Sequence, residues 1–343
     1  MKTYESSDIR NIGFVGHGHS GKTTLVAGMC FATGVTNRLT RVDEGNTVTD
    51  YDEEEIARKV TISTGVCALE WRKQKYNLLD TPGFNLFIND TKASLVAADG
   101  VFVLVDGVAG VEVQTEKTWS FADGFELPRA IVINKLDRER SSFERALESV
   151  QGAFGRTAVP VQLPIGAEKN FTGIVDLVTM KAYTYQPDGD GKGKEIPIPG
   201  DLEDAAKAAH EALVEMVAEG NDQLMEEFFD KGTIEVEHLL AGLRGAILER
   251  RLTPVLCASA LHNIGTDAVL NFAGDYFPNP TWHGKVKGKN GSQDVERAIK
   301  DSEHISVFVF KTVADVFSGP RFVVLRQSTS LLLVVTIDDL MGD

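Results

Sequence analysis

Cysteine is scarce in this sequence: Cys30, Cys67 and Cys257 are far apart, and three is an odd number. That excludes a disulfide framework and any paired-cysteine metal spacing, and it points to a reducing compartment. Residues 1–10 are polar and hold no apolar leader, so the expected location is cytoplasmic. Long apolar runs are also missing. None reaches the roughly 18–20 residues that span a bilayer, so no membrane partner is expected. Basic residues are outnumbered, 35 against 50 acidic, for a formal net charge of −15. Nucleic-acid backbones are held by Lys and Arg, so neither a general polyanion surface nor sequence-specific nucleic-acid binding is expected. No repeat of fixed period is present. What remains is an ordinary globular composition, 43% apolar and 25% charged over 343 residues, long enough for two domains or one large one.

The stretch that organises the rest is Gly16-His17-Gly18-His19-Ser20-Gly21-Lys22-Thr23. The apolar run Ile12-Gly13-Phe14-Val15 precedes it, and Thr24-Leu25-Val26-Ala27 can open a helix after it. Strand, glycine-rich turn and helix at the spacing G-x-x-x-x-G-K-T form a phosphate cradle. Glycines let several N–H groups point into one concavity, and the helix N-terminus adds positive potential. Lys22 supplies a full charge for terminal phosphates, and the Thr23 hydroxyl is a Mg²⁺ ligand type. A plain glycine-rich turn would show the same local pattern, so the later motifs decide.

Residues 40–58 are acidic and polar, which reads most simply as a solvated loop. Arg58-Lys59-Val60-Thr61-Ile62 ends it, and Thr61 is placed to complete Mg²⁺ coordination if the loop folds over the nucleotide. A buried-type strand then ends in Asp80-Thr81-Pro82-Gly83-Phe84. Asp80 can hold a metal-bound water and the Gly83 N–H can meet a γ-phosphate, although Asp, Pro and Gly also make ordinary turns. The runs 101–106 and 129–134 read as fully buried strands with a helix over 115–125 between them. Strands alternating with helices predict a parallel sheet covered on both faces.

The second of those strands ends in Asn134-Lys135-Leu136-Asp137. A carboxylate at Asp137 can accept from guanine N1–H and its 2-amino group, a donor pair that adenine lacks. Asn134 can brace the loop and the Lys135 stem can lie over the purine. A third strand, 254–257, leads into Ser259-Ala260-Leu261, whose N–H groups can meet the guanine carbonyl. The gap between Asp137 and Ser259 calls for an insertion, with a turn-rich stretch at 186–194 and two amphipathic runs, 202–219 and 221–251, that read as helices. Their acidic faces, including Glu215, Glu219, Glu226 and Glu227, read as solvated surface.

On these ordered motifs the chain resembles elongation factor G, the ribosomal translocation GTPase, over about residues 8–320. Pro164-Ile165-Gly166-Ala167-Glu168, Gly173-Ile174-Val175-Asp176-Leu177 and Asn221-Asp222-Gln223-Leu224-Met225-Glu226 look like that family's inserted subdomain. Tyr276-Phe277-Pro278-Asn279-Pro280 looks like the end of its GTPase domain. Val309-Phe310-Lys311-Thr312 and Asp315-Val316-Phe317-Ser318-Gly319 look like the first strands of the barrel that follows. The resemblance implies an α/β fold: a P-loop GTPase domain with a mostly parallel sheet and an inserted α/β subdomain, followed by the incomplete start of a β-barrel domain. The expected division is a GTP-binding domain at 1–282 with its insertion at about 160–253, a linker at 283–303 carrying Lys285, Lys287 and Lys289, and the barrel start at 304–343. GTP or GDP with Mg²⁺ is the implied cofactor and the ribosome the implied partner. Lys22 and Thr61 are the expected catalytic residues, and Thr23, Thr61 and Asp80 the expected metal set.

The sequence departs from the family at four places. Phe84 stands where the family has the His that positions the attacking water, which implies slow or partner-dependent hydrolysis. His19 replaces an Asp of the phosphate loop, and Lys59 replaces a Gly before Thr61. The fourth is length, since the family chain runs to about twice this one; the expectation is a divergent, C-terminally truncated paralogue. Three rivals remain: a ribosomal protection or termination GTPase, a GTP-dependent binding switch with little hydrolysis, and an ATP-using P-loop enzyme, against which Asp137 argues.

Overall fold

A computed structural model describes residues 4–290, 292–300, 302, 307–314, 321–327 and 332–336. The short apolar runs of the sequence become neighbouring strands. The elements run β1 (Ile9–Gly16), α1 (Lys22–Ala32), α2 (Glu53–Arg58), β2 (Gly65–Trp71), β3 (Gln74–Asp80), α3 (Ile88–Leu95), β4 (Gly100–Asp106), α4 (Val113–Gly124), β5 (Arg129–Asn134), α5 (Phe143–Phe154) and β6 (Ala158–Pro160). β11 (Thr253–Cys257) and α9 (Thr266–Tyr276) complete the unit after the insertion.

The main sheet has the order β2-β3-β1-β4-β5-β11-β6, parallel throughout except for β2, which pairs antiparallel with β3. β1, β4, β5 and β11 are buried along their whole length. Burial on both faces explains why they read as continuous apolar runs rather than alternating ones. The period of two survives in what each side chain packs against: Phe14, Phe102 and Leu104 join one apolar cluster, and Val15, Val103 and Val105 join the other. Because β1, β3, β5 and β11 are parallel, the loops after Gly16, Asp80, Asn134 and Cys257 all leave from one edge of the sheet. Ligand crevices of open α/β sheets lie at that edge.

Between β6 and β11 the chain builds a second, antiparallel sheet of order β10-β9-β8-β7 from β7 (Gln162–Ile165), β8 (Gly173–Asp176), β9 (Lys181–Thr184) and β10 (Lys194–Ile196). Three helices follow, α6 (Glu203–Ala218), α7 (Asp222–Lys231) and α8 (Val236–Leu248). The run 221–251, expected as one helix, is broken in two. Gly232 takes the left-handed conformation at φ 71° as the C-cap of α7, where glycine costs least.

Two other expectations change. The acidic stretch 40–58 is not simply solvated: Asp52 caps α2 in a reciprocal box with Glu55. Glu55 is 1% exposed, and its carboxylate accepts from the Ile62 N–H at 2.9 Å and the Ser63 N–H at 3.0 Å. Residues 283–303, expected as linker, contain an antiparallel hairpin of β12 (Lys285–Asn290) and β13 (Gln293–Ala298). Beyond it, β14 (Val307–Ala314), β15 (Arg321–Gln327) and β16 (Leu332–Thr336) form a three-stranded antiparallel sheet, as an incomplete barrel would begin. The Asp315-to-Gly319 motif lies outside the described residues. Among the described residues no helix is long and apolar enough to cross a membrane.

Candidate functional site

The phosphate loop is shaped by its glycines. Gly16 has φ +135°, and a Cβ there would sit 2.4 Å from the Leu104 carbonyl oxygen. Gly21 has φ +95°, and a Cβ would meet the Asn134 amide at 2.3 Å. No side chain caps α1, whose N-cap is Gly21, so its first amides are free for an anion. Thr24 is half-buried in that first turn, and Ser20 is buried with its hydroxyl unpartnered. Lys22 is 5% exposed and donates to the carbonyls of Gly16 at 3.2 Å and His17 at 2.9 Å. Burial pulls its ammonium pKa down to about 8, against the opposing pull of Asp80 and Asp50.

Beside the loop, five polar side chains meet out of water. Thr23 Oγ1 lies 3.0 Å from Thr61 Oγ1, and Thr61 donates to Asp50 Oδ1 at 2.8 Å. Thr49 donates to Asp80 Oδ2 at 2.7 Å. All five are at most 8% exposed. The second oxygens, Asp50 Oδ2 and Asp80 Oδ1, are buried with no hydrogen-bond partner. Burial and then the neighbouring Asp50 charge push the Asp80 carboxyl up to about 7, and burial pushes Asp50 up to about 6. Two orphaned carboxylate oxygens next to two hydroxyls make the hard-oxygen donor set that suits Mg²⁺. The expected metal residues Thr23, Thr61 and Asp80 are thus brought together. Thr49 and Asp50 were missed, because an Asp inside an acidic stretch carries no signal of its own.

Thr81 fixes the turn after β3 by donating its hydroxyl to the Phe14 carbonyl at 2.7 Å, and the Pro82 carbonyl accepts from Thr91 at 2.8 Å. Gly83 is pressed on the phosphate loop: a Cβ there would fall 2.5 Å from Lys22 Nζ and 2.7 Å from the Gly18 nitrogen. The Phe84 ring covers Gly18, whose own Cβ would lie 2.7 Å from Phe84 Cζ. His19 meets Phe84 edge-on, with centroids 5.2 Å apart and planes at 85°. His17 turns elsewhere, accepting from the Gln114 N–H at 3.4 Å with Nε2 3.6 Å from Glu112.

At the other end of the edge, Asn134 donates to the Ser20 carbonyl at 2.9 Å and accepts from the Ala260 N–H at 2.9 Å. It therefore ties the phosphate loop to the loop after β11. Asp137 accepts from the Ser259 hydroxyl at 2.5 Å. Lys135 is held by Asp106 at 2.7 Å, and Leu136 is 3% exposed beneath the loop. The Leu261 carbonyl accepts from Arg41 at 3.1 Å, and Arg41 also pairs with Asp188 at 2.8 Å. His262 lies 3.2 Å from Asp188 and 3.8 Å from Asp137. The turn-rich stretch 186–194 is thus docked beside the Asp137 pocket. Contacts this distant in sequence left no local signal.

Comparison with known proteins agrees with this layout. The sequence model of the elongation factor Tu GTP binding domain matches residues 7–279. The chain is 36% identical over 344 residues to elongation factor G of Granulibacter bethesdensis, spanning 97% of this chain and 50% of that protein. A crystal structure from Thermus thermophilus is similar with a TM-score of 0.82 at 30% identity, covering 94% of this chain and 46% of that one. The chain spans about half the length of these relatives.

Proposed function

This chain belongs to the elongation factor Tu GTP-binding domain family, on its elongation factor G side, and we propose that it binds GTP and GDP with Mg²⁺ and hydrolyses GTP in translation on the ribosome. The observation that carries the reading is the buried meeting of Thr23, Thr61, Asp50 and Asp80 beside Lys22. These residues come from the phosphate loop, the stretch 40–64 and the end of β3, the three segments that a γ-phosphate would draw together. Thr23 and Thr61 would ligate Mg²⁺ directly, and Asp50 and Asp80 would hold its water ligands. Bound there, the cation would neutralise charge on the β- and γ-phosphates.

The protein's own part is positioning and electrostatics. The α1 amides and Lys22 hold the phosphate chain, and burial of Lys22 strengthens its pull on charge that shifts toward the leaving GDP. Asp137 reads the guanine edge, while Asn134 fixes the distance between the base and phosphate halves of the pocket. The division into a GTP-binding domain at 1–282 with its insertion and a barrel start at 304–343 goes with this proposal, as does a cytoplasmic site of action. A second reading, a binding switch with little hydrolysis, is favoured by Phe84, whose ring offers the attacking water no hydrogen bond.

The test is GTP turnover by the purified chain with Mg²⁺, alone and with ribosomes. Slow release of phosphate, accelerated by ribosomes, is expected. Guanine-nucleotide binding without turnover under either condition would leave the binding switch, and failure to bind would remove both.

A further inference from the structure

We propose that the cavity between the inserted sheet and α9 is a binding site for a linear aliphatic polyamine. The cavity holds about 180 Å³ and is lined by residues of β8, β9 and α9, with Leu240 of α8 among them. None of its lining residues belongs to the candidate nucleotide site. One face of α9 forms a wall, because positions 267, 268, 271, 272, 275 and 276 recur at the helical period.

Three carboxylates line the cavity and no lining residue is basic. Asp267 stands in the first turn of α9 and Asp275 in the last, about 12 Å apart along the axis. Asp176 comes from β8. Asp176 accepts from the Val178 N–H at 2.9 Å and the Thr179 hydroxyl at 2.7 Å. Asp267 accepts from the Tyr185 hydroxyl at 2.7 Å and the Gly193 N–H at 2.8 Å. These bonds orient both carboxylates and bring no positive charge. Of the three, Asp275 alone has an ion-pair partner among the described residues, Arg72 at 2.9 Å. Burial raises the pKa of Asp176 and of Asp267, as it does for carboxylates short of a counter-charge.

Tyr276 is an independent sign of a ligand. It is 7% exposed and lines the cavity, and its hydroxyl makes no hydrogen bond among the described residues. Burial, then the charges of Asp176 and Asp275, raise its pKa. A buried phenol without a partner costs free energy that a donor in the cavity would recover. Its oxygen can accept from an ammonium group.

The class of ligand follows from how the charges are spread. Three carboxylates exclude an anion. Among the described residues they do not converge closely enough to share one metal ion. The volume is below the roughly 300–1,000 Å³ of drug-sized pockets. What fits is positive charge spread along a thin apolar stem. The rings of Tyr183 and Phe272 offer that stem apolar surface and its ammonium groups π-faces. A linear triamine is long enough to reach both acidic ends of α9, and a four-carbon diamine is not.

The experiment is calorimetric titration of spermidine, and separately of putrescine, into the full chain at low salt in excess Mg²⁺. The proteins are the wild type, Tyr276→Phe, Asp275→Asn and a control, Glu226→Gln, on the exposed face of α7. Thermal melts confirm that each is folded, and Tyr276→Phe should melt no lower than the wild type because the hydroxyl it removes is unpartnered. Saturable one-site binding of spermidine is expected, with putrescine bound at least about fivefold more weakly. Tyr276→Phe and Asp275→Asn should each weaken spermidine binding by about fivefold, and Glu226→Gln should leave it unchanged. No saturable binding by the wild type overturns the inference. So does unchanged affinity in folded Tyr276→Phe and Asp275→Asn, or equal weakening in Glu226→Gln, which marks diffuse attraction to an acidic chain.

Discussion

Thr61 Oγ1 stands 3.0 Å from Thr23 Oγ1 and donates to Asp50, so one hydroxyl joins the stretch 40–64 to the first turn of α1. Removing it leaves a buried Asp50 carboxylate with neither of its oxygens satisfied. Thr61→Ala should weaken GTP binding in Mg²⁺ by about tenfold, equivalent to about 1.4 kcal/mol, a size typical for losing a charge-assisted bond. GDP affinity should change less, since in the proposed function it is the γ-phosphate that draws the stretch 40–64 to the phosphate loop. Titration with a fluorescent GTP analogue and with its GDP counterpart checks both. Equal losses for the two nucleotides would count against the role given to Thr61.

The two raised carboxyls set a pH dependence. Asp80 at about 7 and Asp50 at about 6 lie above the ordinary 3.8, so the folded chain holds protons that the unfolded chain releases. The folded state is therefore favoured at low pH and loses stability as pH rises from about 4 through 7. A divalent cation needs both groups ionised, so it must displace those protons. Mg²⁺ affinity should rise between about pH 5.5 and 7.5, and Mg²⁺ should raise the melting temperature more at the upper end. Lys22, pulled down to about 8, acts mainly above this window. Thermal melts with and without Mg²⁺ across the range test it, and a pH-independent Mg²⁺ effect would contradict the assignment.

Phe84→His should speed GTP hydrolysis on ribosomes by about tenfold or more, because an imidazole would replace hydrocarbon beside the cradle. Single-turnover rates give the answer. No gain, with nucleotide binding intact, would show that the slow step lies elsewhere.

Gly100 starts β4 with no room for a side chain: a Cβ would fall 2.6 Å from the Phe277 ring, itself 4.8 Å from the Phe102 ring. Gly100→Ala should cost about 1–3 kcal/mol by overpacking. Denaturant unfolding should show an earlier midpoint, while nucleotide affinity in the folded protein stays unchanged.

Some of this was legible in the sequence and some was not, for physical reasons. β5 was read at its observed bounds, because a strand buried on both faces is a plain apolar run ending in a polar residue, here Asn134. The phosphate loop was legible because tight turns need glycine, and Gly16 and Gly21 both adopt positive φ. Asp50 was hidden among other carboxylates, and only the folded chain singles it out by burying it against Thr61. The bridge from Arg41 to Asp188 joins positions 147 residues apart, which no local pattern records. The hairpin at 285–298 was missed because its strands carry few apolar residues, so the alternation of Lys285, Lys287 and Lys289 reads as a solvated spacer rather than a half-buried strand. The Gly291-Ser292 dipeptide, between the paired Asn290 and Gln293, was the available clue.

The central claim is a guanine-selective pocket read by Asp137, which the Ser259 hydroxyl orients at 2.5 Å. Calorimetric titration of GDP, ADP and xanthosine diphosphate into the wild type and Asp137→Asn, all with Mg²⁺, tests it most directly. The expected result is heat with GDP and none with ADP for the wild type, and a shift of preference to xanthosine diphosphate in the variant. Equal binding of ADP and GDP, or no binding of GDP at all, would contradict it.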